Sequence, residues 1–354
     1  MEQTAAHLLL NQKLKNGWTV IKKLERNASQ SGSNFSVGYI VQNEESEKHF
    51  LKAFDFGGFF ALANHSIAEE IDVVDVMNDM TTAFIYERDL SNHCKNKYVT
   101  NVSIVKDSGQ TFVANVEVGI VPYLIFELAE GDVRKHLVFS KNLDIVWKLK
   151  SLHEIAVGLK QLHQIEVSHQ DLKPSNVLVF NTGSKICDLG RSMCRDLDGP
   201  YNKKIFTGDG NYAPPEIMYR YYEQDWIKRV FATDCYLLGS LFVFYFLGIS
   251  MNALLFKHLP KNYHWYAWKG ELKELIPYLN NAYTSALEEI EMQFQDSEFQ
   301  EGIISIIKYL CIPFPEQRIH ELNKNNKNPY NLERTISAID LLRRKEAIKL
   351  KKIL

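Results

Sequence analysis

The sequence predicts an α+β chain of two lobes, a small β-rich one followed by a larger, mainly helical one. Three observations carry this expectation. Runs rich in β-branched and aromatic residues, bounded by polar turns, fill the first third. Helical apolar spacing governs most of the chain after Asp132. A short connection near Glu127–Asp132 separates the two regimes. The bulk numbers agree. With 354 residues, 45% of them hydrophobic, the chain can bury a sizeable core in more than one lobe. Lys plus Arg number 41 against 43 for Asp plus Glu, a net charge of −2 that argues against a generally basic nucleic-acid binder. The five cysteines form no CxxC pair. They favour reduced thiols and a cytoplasmic protein over a disulfide framework or a structural zinc site. The start, MEQTAAHLLLNQKLK, lacks the basic head and long apolar core of a signal peptide.

In chain order, residues 1–15 form an N-terminal extension. WTVIKKLE (18–25), SVGYIVQN (36–43) and KHFLKAF (48–54) have strand composition, with NEESE (43–47) as the hairpin turn between the last two. Ile67, Ile71, Val74, Met77 and Phe84 then fall mostly three, four or seven apart. With Asp72, Asp75 and Asp79 on another face, they predict a long amphipathic helix ending near Cys94. Strands return at VTNVSIV (99–105), TFVANVEVG (111–119) and YLIFEL (123–128). The most apolar run, Cys235 to Ser250, has 16 residues. That is short of the ~20 needed to span a bilayer, so a buried core helix is expected and no transmembrane segment. In the tail, Leu332, Ile336, Ile339 and Leu342 have helical spacing and the end is basic. A helix docked on the second lobe with a solvated basic end is expected. Contact with a membrane surface or an acidic partner is the alternative.

The chemistry concentrates in VSHQDLKPSNVLVF, which begins at Val167 and sets Asp171, Lys173 and Asn176 on one loop before a strand. A second acid, Asp188, follows in KICDLGRS. An acid beside a hydroxyl accepts or orients its proton, and a lysine neutralises a phosphoryl oxygen. An amide oxygen and a carboxylate are hard ligands suited to Mg²⁺. Together they are the parts that phosphoryl transfer needs.

HQDLKPSN followed by DLG resembles the catalytic loop and metal-binding motif of the eukaryotic-type protein kinases, with the Asp-to-Asn interval of five kept. Lys173 resembles the Ser/Thr branch of that family. The likeness continues in NYAPPE (211–216) with Glu216, in ATDCYLLGS (232–240) with Asp234, and in FPEQR (314–318) with Arg318. Upstream, FLKAF places Lys52 like the family's strand lysine, and IFELAEGD (125–132) resembles the hinge with Phe126 as gatekeeper. The resemblance covers roughly residues 16–325. It divides them into an N-lobe (16–126), a hinge (127–131) and a C-lobe (132–325), with a basic helical tail at 326–354.

What the resemblance implies is a bilobal protein-kinase-like fold that uses ATP and Mg²⁺. Asp171 would orient or deprotonate the acceptor hydroxyl and Lys173 stabilise the moving phosphoryl, while Asn176 and Asp188 would hold Mg²⁺. Lys52 would position phosphates with a glutamate partner. FIYERDL favours Glu87 over Glu69 and Glu70 in that role, which makes about 55–80 an acidic insertion without Lys or Arg. That insertion is expected to be a solvated face, with a docking surface as the alternative. The backbone of Glu127 and Ala129 would meet adenine and Asp132 the ribose. His169 would be structural. The implied activity is Ser/Thr phosphorylation of protein substrates, with autophosphorylation open. A pseudokinase scaffold and a small-molecule kinase are the alternatives.

Four features depart from the pattern or qualify it. NASQSGSNFSVG has serines at 31, 33 and 36 where glycines are usual, leaving Gly32 as the weak match to the phosphate-covering loop. Asp209 replaces the common threonine. It would face Asp171 and attract Lys173, each contact worth about 4 kcal/mol at ~4 Å and a dielectric of ~20. Cys187, beside Asp188, is expected to be a buried, inert thiol. Gln170 replaces the arginine that in many members binds a phosphate on the activation segment. A neutral amide cannot form that charge-assisted pair. The chain is therefore expected not to depend on phosphorylation of Ser192, Tyr201, Thr207 or Tyr212.

Overall fold

The computed structural model describes residues 4–25, 36–65, 72–139, 145–294, 297–326 and 328–353. The first lobe is built on a five-stranded antiparallel sheet. Its strands are β1 (Thr19–Lys23), β2 (Ser36–Gln42), β3 (Lys48–Phe54), β4 (Val105–Phe112) and β5 (Ile120–Glu127), in the order β1-β2-β3-β5-β4. Between β3 and β4 lie α1 (Phe56–His65) and α2 (Val73–Asn96). Strand β2 alternates strictly, burying Val37, Tyr39 and Val41 on one face. That face is covered by the N-terminal extension through Ala5, Ala6, Leu9 and Leu14. The Tyr39 hydroxyl donates to the Ala6 carbonyl at 2.7 Å, which gives a buried polar atom its partner. The opposite face carries α2, where Met80 packs with Phe54, Val105 and Leu124.

Three elements differ from the sequence expectation. The helix expected from Ile67 begins instead at Val73, because the Asp72 carboxylate accepts from the Val74 N–H at 2.8 Å and caps it. Ile67 and Ile71 lie outside the described residues. A separate helix, α1, precedes it, and the low helix propensity of Gly57 and Gly58 hides it from a periodicity argument. Two acids of the insertion thus have structural work, since the Asp55 carboxylate accepts from the Gly58 N–H at 2.9 Å. The strands expected at 99–105 and 111–119 are replaced by one strand, β4, at 105–112. Its centre, KDSGQT, has turn composition but tertiary partners. Asp107 accepts from Trp18 Nε1 at 2.8 Å. Gly109 faces Tyr123 across the sheet, where a Cβ would lie 2.5 Å from the Tyr123 hydroxyl.

The second lobe follows a short connection. It contains β6 (Gly131–Asp132), α3 (Val133–Phe139), α4 (Ile145–Gln164), β7 (Val167–Ser168), β8 (Val177–Phe180), β9 (Gly183–Ile186) and β10 (Met193–Cys194). The helices α5 (Pro215–Met218), α6 (Trp226–Leu247), α7 (Met251–His258), α8 (Ile276–Glu291), α9 (Ser297–Leu310) and α10 (Glu333–Ile353) complete it. Residues 235–247 of the apolar run lie in α6, whose stretch from Arg229 to Val243 is buried on every face, as a helix segment without a polar face must be. Among the described residues α6 is the one helix long and apolar enough to cross a membrane, and 83% of its apolar window is buried inside the lobe. Asp225 caps its start, and left-handed Gly248 (φ 76°) ends it. The tail helix α10 packs along α4 and against α9, with Ile339 and Leu342 buried and Leu342 seated on Gly302 of α9, and Lys160 pairs with Glu333. Much of its basic character is neutralised locally, by Arg343 and Arg344 with Asp340 and by Lys345 with Glu298.

Candidate active site

Residues from both lobes meet where the sheet faces the β7–β8 loop. Lys52 lies in the middle of β3, paired across the sheet with Gly38 and Leu124. Its ammonium donates to both Glu87 oxygens at 2.9 Å and to Asp188 Oδ1 at 3.0 Å. Burial lowers the Lys52 pKa, but Asp188 and Glu87 outweigh it and hold the group protonated, well above the usual lysine range. Lys52 in turn draws the Asp188 carboxyl below the usual range against the effect of burial. Burial raises the Glu87 carboxyl despite Lys52. Asp188 itself is left-handed (φ 64°, ψ 72°), a conformation that costs a non-glycine residue energy and is typical of sites under functional constraint.

The loop after β7 brings Asp171, Lys173 and Asn176 together, all nearly buried. Asn176 Nδ2 donates to the Asp171 carbonyl at 2.8 Å and to Asp171 Oδ2 at 3.1 Å. This fixes the amide orientation and turns Asn176 Oδ1 away from Asp171. Lys173 Nζ lies 3.3 Å from Asp171 Oδ2 and 3.1 Å from Asp209 Oδ2. Asp209 attracts Lys173 as expected, and the two carboxylates share that ammonium. The Asp209 backbone N–H donates to Asp171 Oδ1 at 2.8 Å, and its carboxylate also accepts from the Asn211 N–H at 3.0 Å. Burial raises the Asp209 carboxyl, but Asn211 and Lys173 together bring it below the usual range.

The loop is held from beneath by Asp234 on α6. Its carboxylate accepts from the N–H groups of His169 (2.9 Å) and Gln170 (2.8 Å), the Ser168 hydroxyl (2.8 Å) and His163 Nε2 (2.9 Å). Both His169 ring nitrogens are engaged. Nε2 donates to the Cys187 carbonyl at 3.0 Å and Nδ1 accepts from the Asp171 N–H at 3.3 Å, so the ring positions the loop. Arg318 and Glu216 form a buried bidentate pair at 2.5 and 2.6 Å. Burial, then the Asp188 carboxylate, push the Cys187 thiol well up, and all five cysteines are free.

The other expected residues lie around this centre or beyond the described stretches. The Glu127 backbone pairs with His49 at the end of β5, while its carboxylate accepts from Lys185 at 2.6 Å. Ala129 lies in the connection between β5 and β6. The Asp132 carboxylate is taken up by the backbone and guanidinium of Arg134 at 2.9–3.0 Å. Gly32, Glu69 and Glu70 lie outside the described residues. Sequence reasoning missed Tyr86, whose buried hydroxyl contacts the segment after Asp188. Its signal was an aromatic beside a candidate ion-pair glutamate.

The donor set also suits the expected metal. Asn176 Oδ1 and the Asp188 carboxylate are two hard oxygen donors. Few protein ligands fit Mg²⁺, which keeps water and phosphate oxygens around it, better than an all-protein cage.

A β-sheet lobe with one ion-paired helix, a helical lobe below it and an acid–lysine–amide loop between them together define the bilobal architecture of eukaryotic-type protein kinases. The chain belongs to that family: the family model described as protein kinase domain matches residues 70–330. A probable serine/threonine-protein kinase of Dictyostelium discoideum is 34% identical over 100 residues, 27% of this chain and 11% of that protein. The mitogen-activated protein kinases hog1 of Aspergillus clavatus and Botryotinia fuckeliana are 27% and 28% identical over 183 and 188 residues. Each alignment covers 51% of this chain and just under half of the relative, 47% and 49%. The family match starts after β3, so Lys52 lies outside it and enters the site through the structure.

Proposed function

We propose that this chain is an ATP- and Mg²⁺-dependent protein kinase that phosphorylates Ser/Thr hydroxyls of protein substrates without needing a phosphate on its own activation segment (188–216). The observation that carries this is Lys52 held between Glu87 and Asp188, facing a loop that gathers Asp171, Lys173 and Asn176. Asn176 Oδ1 and the Asp188 carboxylate would hold Mg²⁺, which when bound neutralises phosphoryl oxygens. Lys52 binds the α- and β-phosphates, and the backbone at Glu127 and Ala129 receives adenine. Asp171 orients the acceptor hydroxyl and takes its proton as the oxygen bonds to the γ-phosphorus and ADP leaves. Lys173 balances the charge of the moving group. The five free cysteines support a reducing compartment such as the cytoplasm.

Independence from activation-segment phosphorylation draws on Gln170. Its side chain is fully buried, with Nε2 on the Ser168 hydroxyl and the Val230 carbonyl, and it offers no cation to a phosphate. Ser192 is also fully buried, and Thr207 donates to the Arg191 carbonyl at 2.5 Å. The test is transfer of labelled γ-phosphate to generic protein substrates. Asp171→Asn should cut transfer by about 10²–10⁴, and Tyr201→Phe and Thr207→Ala should keep wild-type rates. Wild-type rates in Asp171→Asn refute the enzyme reading. Loss in Thr207→Ala with recovery in Thr207→Glu refutes phosphate independence. The engagement of Lys173 by Asp209 favours a second reading, a pseudokinase scaffold. Absent transfer in the wild type together with intact partner binding would select it.

A further inference from the structure

We propose that Tyr86 is a positioning residue that locks α2 onto the activation segment and thereby keeps Glu87 on Lys52. The inference rests on the kinase reading above. Tyr86 immediately precedes Glu87, and both are 4% exposed. Its hydroxyl donates to the Ser192 carbonyl at 2.9 Å and accepts from the Cys194 N–H at 3.1 Å. One phenol therefore satisfies two buried backbone groups just beyond Asp188. The same stretch is fastened to the catalytic loop. Met193 and Cys194 pair with Ser168 and Val167, and the Ser192 hydroxyl donates to the His169 carbonyl at 3.3 Å.

The ring has a shaped seat. At Gly199 a Cβ would lie 2.3 Å from Tyr86 Cε2, so only glycine lets the segment cross the ring here. Tyr201 meets the ring edge-on, at 6.1 Å and 80°. Glu87 rests on the same segment, where a Cβ on Gly190 would lie 2.8 Å from Glu87 Oε2. Two successive side chains of α2 thus bear on neighbouring stretches of one segment. Any roll of α2 that withdraws Glu87 must also break the two Tyr86 hydrogen bonds. Burial raises the Tyr86 hydroxyl far above neutral pH, so the tether stays uncharged. It joins helix, segment and catalytic loop without a phosphate.

The test is calorimetric titration of the full chain with ADP in Mg²⁺ buffer and, separately, with adenosine. Tyr86→Phe keeps the ring and deletes the tether. It should weaken ADP about fivefold, the size of one buried hydrogen bond, and leave adenosine within about twofold. Gly199→Ala presses on the ring with the hydroxyl intact, and should lower the ADP-to-adenosine preference in the same direction. It serves as the second variant if Tyr86→Phe does not melt cooperatively. A role confined to stability would lower the melting temperature and leave the preference unchanged. A wild-type preference that survives in a folded variant overturns this inference alone. A wild-type chain that binds ADP no better than adenosine overturns the kinase reading and this inference with it.

Discussion

Arg318→Ala should strongly destabilise the C-lobe. Arg318 is 1% exposed and donates to both Glu216 oxygens and to the carbonyls of Ile312 (2.7 Å), Pro313 (3.0 Å) and Ala232 (3.3 Å). Truncation leaves a carboxylate that is 4% exposed without its cation. Stranding a buried charge costs about 3–5 kcal/mol. For a domain of this size each kcal/mol lowers the melting temperature by about 2–4 °C, so the drop should be about 6–20 °C. Arg318→Met combined with Glu216→Leu removes both charges, and apolar replacement of a buried pair is often neutral. The double variant should recover more than half of the loss, held back by three carbonyls left without a donor. Calorimetric melting at pH 7 measures both. The reasoning fails if Arg318→Ala melts within about 2 °C of wild type, or if the double variant melts below the single one.

Acid should destabilise the site through Asp188. Its folded pKa is depressed below the ordinary value of 3.8, so its stabilising contribution is present above that value and lost as pH falls through the folded pKa. Lys52→Ala removes the main cause and leaves burial, which acts the other way, so the acid decline of melting temperature should be shallower in the variant. Gly208→Ala should cost about 1–3 kcal/mol and, on the proposed kinase reading, disturb turnover, because its Cβ would lie 2.1 Å from the Gln170 carbonyl in the β7–β8 loop. Melting curves and labelled-phosphate assays on the same preparation check it. Leu9→Ala, at a fully buried position under the sheet, should lower stability by about 2–5 kcal/mol in chemical denaturation.

The parts of the site that a sequence shows are those set by local spacing. Asp171, Lys173 and Asn176 share one loop, so their proximity follows from chain geometry and their residue types carry the chemistry. Contacts made across the fold are harder to see. The hydrogen bond from the Asp209 backbone to Asp171 is invisible to an argument from charge alone. Arg134 occupying Asp132 likewise depends on how the chain turns after β6. In the fold, β3 and α6 were legible because their apolar patterns are strong. Strand β4 was not, because Gly109 and Asp107 serve a cross-strand ring and an indole rather than a turn.

The docking of the N-terminal extension bears on where the chain can be cut. Leu9 is fully buried against the sheet, and Lys52 precedes the family-matched stretch, which starts at residue 70. Trimming the chain to that stretch would remove three of the five strands together with the lysine. Trimming only as far as Trp18 would keep the lysine but bare an apolar sheet face. The first version would look like an inactive enzyme and the second like an insoluble one. In both cases the fault would lie in the choice of end point rather than in the residues proposed for catalysis.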